Sequence, residues 1–426
     1  MSYDFLLASF GTSGNLNPLL TAARQLGQRG HRSRIIADPA MRDEVEAAGF
    51  EYVAWRRAPT GPEADPADVS DIRQWFRRAI FEPAHAYAAD ILDEVGRAPT
   101  DAILAIDILF GAALGAEAAG IPLAILSPHI SLRPLPGIPP VMSGLLPPKT
   151  AEERSVIAAA GEGTVALFDH SLPILNRARA RLGLRAMSTS MDVFDTADRV
   201  LLAISQAFDY PADWLPDNVR YIGPLLDEPS WSRTWVSPWR DASPAGLRPR
   251  VLVACSSGAQ GQGELIQRVV DAMGGLDVEA VVTTGPNIRM EDLRVPGNVH
   301  LRRSAPHNVV MQEVDLLITQ GGHGTVSRAL VNGLPQLVLP MGRDQNDNAS
   351  RIALHGAGLQ LSPAASGAEI ADAARLLLSD PSFKIRARRL GAAIEADMAA
   401  CGVVDEMERL ALIHRRGAMV PQPWRA

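Results

Sequence analysis

Two consecutive segments decide the fold: Thr319-Gln-Gly-Gly-His-Gly-Thr-Val-Ser-Arg-Ala-Leu330 and Gly333-Leu-Pro-Gln-Leu-Val-Leu-Pro340. An apolar run over 315–319 enters a pair of glycines, then Gly324-Thr325, then residues of helical character. A second short apolar strand follows and ends in Met341-Gly-Arg-Asp-Gln-Asn-Asp-Asn348. Strand, glycine turn, helix and strand in this order form a parallel βαβ unit. Glycines let the backbone approach a ligand. A helix N-terminus offers unpaired N–H groups and a positive dipole end, which suits a phosphate. A plain tight turn carries the same pattern, so the turn alone fixes no ligand. Asp344 and Gln345 follow a parallel strand, where ligand crevices open. As carboxylate and amide they suit sugar hydroxyls, or else they simply start a polar helix.

The same pattern recurs outward. Phe5–Ser9 is a strand, 10–15 a glycine-containing turn, and 18–29 a helix with Leu19, Leu20, Ala23 and Leu26 on one face. A strand over 33–37 and a helix over 41–48 follow. Strand 102–106, helix 110–119 and strand 123–126 repeat the unit. Residues 57–100 and 129–195 read as less regular. The second of these holds Pro134, Pro136, Pro139, Pro140, Pro147 and Pro148. A new βα series starts at Val251, with helices expected from about Asn346 and Ile370. The organisation predicted is an α/β domain over 1–220, a Pro-rich linker over 221–248 carrying Trp231, Trp235 and Trp239, and a second α/β domain over 249–403. A helix and tail over 404–426 close the chain. Two such domains place a ligand cleft between them.

Composition narrows the function. The formal net charge of −7 does not suit a general nucleic-acid binder. Cys255 and Cys401 make no disulfide framework and no metal spacing. His85, His170, His300, His355 and His414 show no metal spacing either. The start lacks a basic leader, and 102–126 is interrupted by Asp107, Glu117 and a Gly-Ile-Pro turn, so a soluble cytoplasmic protein is expected.

The segment 320–345 resembles the donor-binding signature of the large inverting glycosyltransferase family that uses nucleotide-activated sugars. That family includes bacterial natural-product enzymes and UDP-glycosyltransferases. Its pattern is His-Gly-Gly-x-Gly-Ser/Thr, a Gly-x-Pro, and an Asp/Glu-Gln pair. Gln320 holds the His position, and Asp344-Gln345 begins 24 positions later. Gly333, Pro335 and Pro340 are in register, Pro306-His307 stands at a family Pro-Gln, and Tyr221-Ile-Gly-Pro-Leu resembles the entry to the family linker. The likeness runs from about residue 3 to 400. It implies the GT-B fold, two Rossmann-like domains facing each other across a cleft. By that resemblance Ser257, Gln320, Gly322, Gly324 and Thr325 meet the diphosphate, Asp344 and Gln345 hold the sugar, and His307 lies near the base or ribose.

The departures are informative. A neutral Gln320 replaces the phosphate His. The family glutamate that often binds ribose falls on Arg328, and Ser304 stands where many members put a base-stacking Trp, so thymidine and uridine nucleotides remain equal candidates. His323 is either a substitute phosphate ligand or a variable turn residue facing solvent. The loop Phe10-Gly-Thr-Ser-Gly-Asn-Leu-Asn-Pro resembles the acceptor loop, with Thr12 and Ser13 beside the acceptor. There the family's general base is His, and this chain has Asn15. An amide is not basic near neutral pH. Asp107 matches the family Asp that partners that His. Either Asp107 serves as base, or the acceptor is acidic enough to need none, or another residue such as His129 supplies it. Asp107 is slightly favoured, Asn15 orients, and His129 lies at the acceptor.

No Asp-x-Asp occurs, which fits transfer without a metal or other cofactor. The expected partners are a thymidine- or uridine-diphosphate sugar and a small apolar or aromatic acceptor. Two rivals stand beside this reading. Gly11-x-x-Gly14 with Asp38 mimics a dinucleotide-binding fingerprint. A catalytically silent homologue acting as a partner or activator would also tolerate Asn15 and Gln320.

Overall fold

The computed structural model describes residues 1–11, 13–59, 69–227, 235–239, 248–254, 262–285 and 288–419. Among the described residues, thirteen strands form two sheets. The first contains β1 (Asp4–Ala8), β2 (Arg32–Ala37), β3 (Glu51–Ala54), β4 (Ala102–Ile106), β5 (Leu123–Ser127), β6 (Arg199–Leu202) and β7 (Val219–Tyr221). Their order is β3-β2-β1-β4-β5-β6-β7, with every pair parallel. The second contains β8 (Arg250–Ala254), β9 (Glu279–Thr283), β10 (Val299–Arg302), β11 (Leu316–Thr319), β12 (Gln336–Val338) and β13 (Gly358–Gln360). Their order is β10-β9-β8-β11-β12-β13, again all parallel. The central strands β1, β4, β5 and β11 are apolar because helices cover both of their faces.

Each sheet reverses its winding once, between β1 and β4 and between β8 and β11. Ligand crevices in such sheets open beyond the strand C-termini at these reversals. The Phe10 loop and Asp107 sit at the first, and the Gln320–Gly324 turn sits at the second.

Three expectations need correction. The first helix runs Ser13–Gln28 with Pro18 inside it, so Asn15 lies in its opening turn rather than in a loop before it. Residues 57–100 carry the helix Val69–Phe76, a π-helical turn Arg77–Phe81 and the helix Ala84–Arg97. Residues 129–195 carry Ala151–Asp169, Leu172–Arg181 and Asp192–Thr196. The longest was obscured because its buried stripe is narrow; Ile157, Thr164 and Phe168 alone are buried in it. The Phe76 and Phe168 rings stack at 4.4 Å and bring the two irregular regions together. Short outer strands such as β7, β10 and β13 also went unread.

The domains meet along the helix Gln345–Leu354. Buried Arg351 pairs with buried Asp209 at 2.6 Å and lies over the Tyr210 ring. Asp347 accepts the backbone N–H groups of Met142 and Gly144, both at 2.7 Å, from the Pro-rich loop. His355 Nε2 lies 3.0 Å from the Phe208 carbonyl. The last helix, Gly402–Met419, returns to the first domain, where Val403, Val404, Met407, Leu410 and Ala411 join its core. Arg415 clasps Asp101 through two bonds of 2.6 Å. Trp235 and Trp239 both donate to Glu313, pinning their stretch to the second domain; Trp231 lies outside the described residues.

Candidate active site

The donor side is built on the β11 turn. Gly321 has φ +98, and a Cβ there would lie 2.7 Å from Val338 Cγ1. Only glycine meets both demands. Gly322 is the extended N-cap of the helix His323–Val331, and as a glycine it has no side chain to cap it with. The amides of Thr325 and Val326 both bond the Gly322 carbonyl at 3.0 Å. The leading amides, those of His323 and Gly324, therefore face the open end of the helix. Gln320 is buried beside this turn, and its Oε1 accepts from Thr319 Oγ1 at 3.4 Å.

Asp344 is fixed to the same turn. Asn348 donates to Asp344 Oδ2 and to the Gly321 carbonyl, both at 2.9 Å. Sequence reading missed Asn348, although its i, i+4 spacing from Asp344 was visible. Gln345 is placed differently from expectation. It is buried, and its Oε1 accepts the Met341 N–H at 2.7 Å, so that oxygen shapes the loop. His323 is not the solvent-facing turn residue that was one of its two alternatives. It is buried, and its Nε2 lies 3.1 Å from the Ala203 carbonyl of the first domain. Burial holds its pKa low. His307 begins a short helix, with Nε2 3.4 Å from Thr283 Oγ1. Burial, aided by the Arg328 charge, pushes its pKa down to about 4. The Arg328 guanidinium donates to the Asp227 carbonyl at 2.5 Å. Ser257 and Thr12 lie outside the described residues, as does the side chain of Ser13.

The acceptor side contains Asp107 and His129. Asp107 follows β4 and is 1% exposed. Neither of its carboxylate oxygens makes a well-formed hydrogen bond among the described residues. Burial raises its pKa, against the opposing charge of His129. His129 follows β5. Its Nε2 lies 3.6 Å from Asp107 Oδ2, and its Nδ1 lies 2.7 Å from the Ile130 carbonyl. Burial lowers its pKa, but Asp107, Asp344, the Ile130 carbonyl and Asp347 together raise it above the ordinary imidazole value. Asn15 donates Nδ2–H to the Phe10 carbonyl at 2.8 Å and so closes its own loop. Asp38 accepts the Gly11 N–H at 2.7 Å and is 1% exposed. It plugs the glycine turn where a dinucleotide reading would need a ribose, so that rival loses its key residue.

An apolar cavity of about 620 Å³ adjoins the loop that begins at His129. Leu135, Ile138, Ile157 and Val165 line it. Its volume lies within the range of small-molecule sites. Among the described residues no helix is long and apolar enough to cross a membrane.

Residues 267–410 match the model of the erythromycin biosynthesis protein CIII-like C-terminal domain. The chain is 28% identical over 428 residues to 4'-demethylrebeccamycin synthase of Lentzea aerocolonigenes, covering 96% of this chain and all of the relative. The solved glycotransferase of kitacinnamycin superposes with a TM-score of 0.76 at 21% identity, covering 96% of this chain and 99% of that one. The glycosyltransferase VinC, solved in complex with DTDP, gives 0.68 at 18% identity, covering 96% of this chain and 100% of that one. The two facing parallel-sheet domains are those of the GT-B glycosyltransferases. In sequence the chain is similar to glycosyltransferases of the natural-product and antibiotic type.

Proposed function

We propose that the protein moves a sugar from a thymidine- or uridine-diphosphate donor to a small apolar or aromatic acceptor, with inversion and without a metal ion. The observation that carries this is the uncapped helix end at Gly322–Gly324, with Asp344 tied to it through Asn348. The diphosphate lies against the leading amides, where helix dipole and hydrogen bonds offset the charge that builds on the leaving group. Asp344 takes the sugar hydroxyls. The acceptor enters from the side of Asp107 and His129 and attacks the anomeric carbon opposite the leaving diphosphate, which inverts configuration. Contact between the domains keeps water from the activated sugar. The cavity beside the Pro-rich loop suits an apolar acceptor body. Relatives' names support this reading: one similar structure is a glycosyltransferase in complex with DTDP, and one curated relative is named an oleandomycin glycosyltransferase. Such an enzyme works in the cytoplasm, where activated sugars are made.

The test is transfer in the presence of a metal chelator. Thymidine- and uridine-diphosphate glucose are offered with a panel of phenols and alcohols, and the product anomer is read by NMR. A product of inverted configuration is expected. A folded protein that binds neither nucleoside diphosphate overturns the reading and favours the silent partner.

A further inference from the structure

The acceptor side retains Asp107 but has Asn15 where the resembling family carries its base. Asn15 is bonded to the Phe10 carbonyl and an amide is not basic, so the proton of an incoming hydroxyl has to go elsewhere. Asp107 is closed off at 1% exposure, whereas the His129 side chain is 23% exposed and reaches it at 3.6 Å. The Ile130 carbonyl can only accept, so Nδ1 of His129 carries a hydrogen. In the neutral ring the lone pair therefore sits on Nε2, the nitrogen on the Asp107 side.

We propose that His129 is the general base of the transfer, with Asp107 as the positioning residue that stabilises its imidazolium. The proposal rests on the sugar-transfer reading above. The acceptor oxygen forms its bond to the anomeric carbon as the bond from that carbon to the diphosphate oxygen breaks. The electron pair of the broken bond leaves with the nucleoside diphosphate. The acceptor proton passes to His129 Nε2, and the ring becomes a cation facing the Asp107 carboxylate. Adjacent β-strands β4 and β5 end side by side at this point, which explains how residues 22 positions apart come to face each other at 3.6 Å.

The groups that face His129 set its pH behaviour. They are Asp107 beyond β4, Asp344 and Asp347 at the helix Gln345–Leu354, and His323 at the start of the neighbouring helix. The three carboxylates favour the imidazolium, and a second charged imidazole opposes it. The net shift is upward, so the base is lost at a higher pH than for a free imidazole.

The experiment is a pH profile of kcat/KM with an alkyl alcohol acceptor, repeated with 4-nitrophenol, which ionises without help. Wild type with the alcohol should lose rate on the acid side, as the raised imidazole pKa demands. His129→Gln should lower the alcohol rate by about 10²- to 10⁴-fold and abolish the acid limb. With 4-nitrophenol the loss should shrink to within about tenfold, because a phenolate needs no base. Asp107→Asn should move the acid limb to lower pH. Melting temperature and thymidine diphosphate affinity, unchanged in both variants, show that they fold. A His129→Gln variant with the wild-type rate and pH profile toward the alcohol overturns the proposal. An equal loss with both acceptors overturns it too, since that marks a structural role. Wild type that transfers nothing and binds no nucleoside diphosphate brings down the sugar-transfer reading, and this one with it.

Discussion

The molecule contains two strand–glycine–helix junctions at equivalent places, one after β1 and one after β11. They solve the same backbone problem in opposite ways. After β1, the turn satisfies itself: Asp38 takes the Gly11 amide and Asn15 takes the Phe10 carbonyl. After β11, Gly322 caps its helix with no side chain at all, and Asn348 reaches in from another helix to bind a carbonyl and Asp344. The first junction is bonded by an acid from the end of the next strand, and the second has a glycine at its N-cap position. A glycine turn at a switch point is therefore only a place for a phosphate. Whether the place is vacant depends on what neighbouring side chains do.

The sharpest break in this comparison is Gly321→Ala. It meets a positive φ and a Cβ contact of 2.7 Å together, and should cost about 3 kcal/mol in urea unfolding. An unchanged midpoint would mean that the turn relaxes freely. Next comes Thr325→Trp, which fills the mouth of the open junction. Titration calorimetry should show thymidine diphosphate affinity falling about tenfold or more, about 1.4 kcal/mol. Binding that survives would move the phosphate elsewhere.

A pH effect of its own kind concerns the acid that joins the domains. Burial raises the Asp347 pKa to about 6, against 3.8 for the free group. A carboxyl raised on folding adds stability below its unfolded pKa and loses it as pH rises through the folded value. Melting temperature should therefore fall between about pH 4 and 6, by an equivalent of roughly 3 kcal/mol. Asp347→Asn should flatten that slope. A slope that persists assigns it to other groups, of which buried Asp38 is raised in the same direction. The smallest effect is Gly11→Ala. Its φ is +86, yet a Cβ there meets only Asn15 Nδ2, at 3.8 Å. The expected loss is about 1 kcal/mol in urea unfolding. A loss equal to that of Gly321→Ala would erase the contrast between the junctions.

Much of the fold was legible because central parallel strands are continuous apolar runs and their glycine turns are punctuated. Strand β4 and the helix after it were read to the residue, as 102–106 and 110–119. The Ala151–Asp169 helix was not, although its capping box, Thr150 with Glu153, was present in the sequence. Its mainly exposed surface gives no clear apolar period. In the site, the glycine turn and Asp344 were legible from spacing. The placement of Gln345 and His323 was not, because each is fixed by contacts that sequence distance hides. His323 meets a carbonyl 120 residues away in the other domain. Asp107 and His129 were each named, but only the pairing of β4 with β5 brings them within reach.

The returning C-terminal helix has a consequence for synthesis. Val403, Val404, Met407, Leu410 and Ala411 fill the core against β1, β4 and β6. The first domain to leave the ribosome is thus the last to be finished. Until residues beyond 402 emerge, the part of its apolar face that they cover stays open. The chain is a ring in time as well as in space: its end seals its beginning.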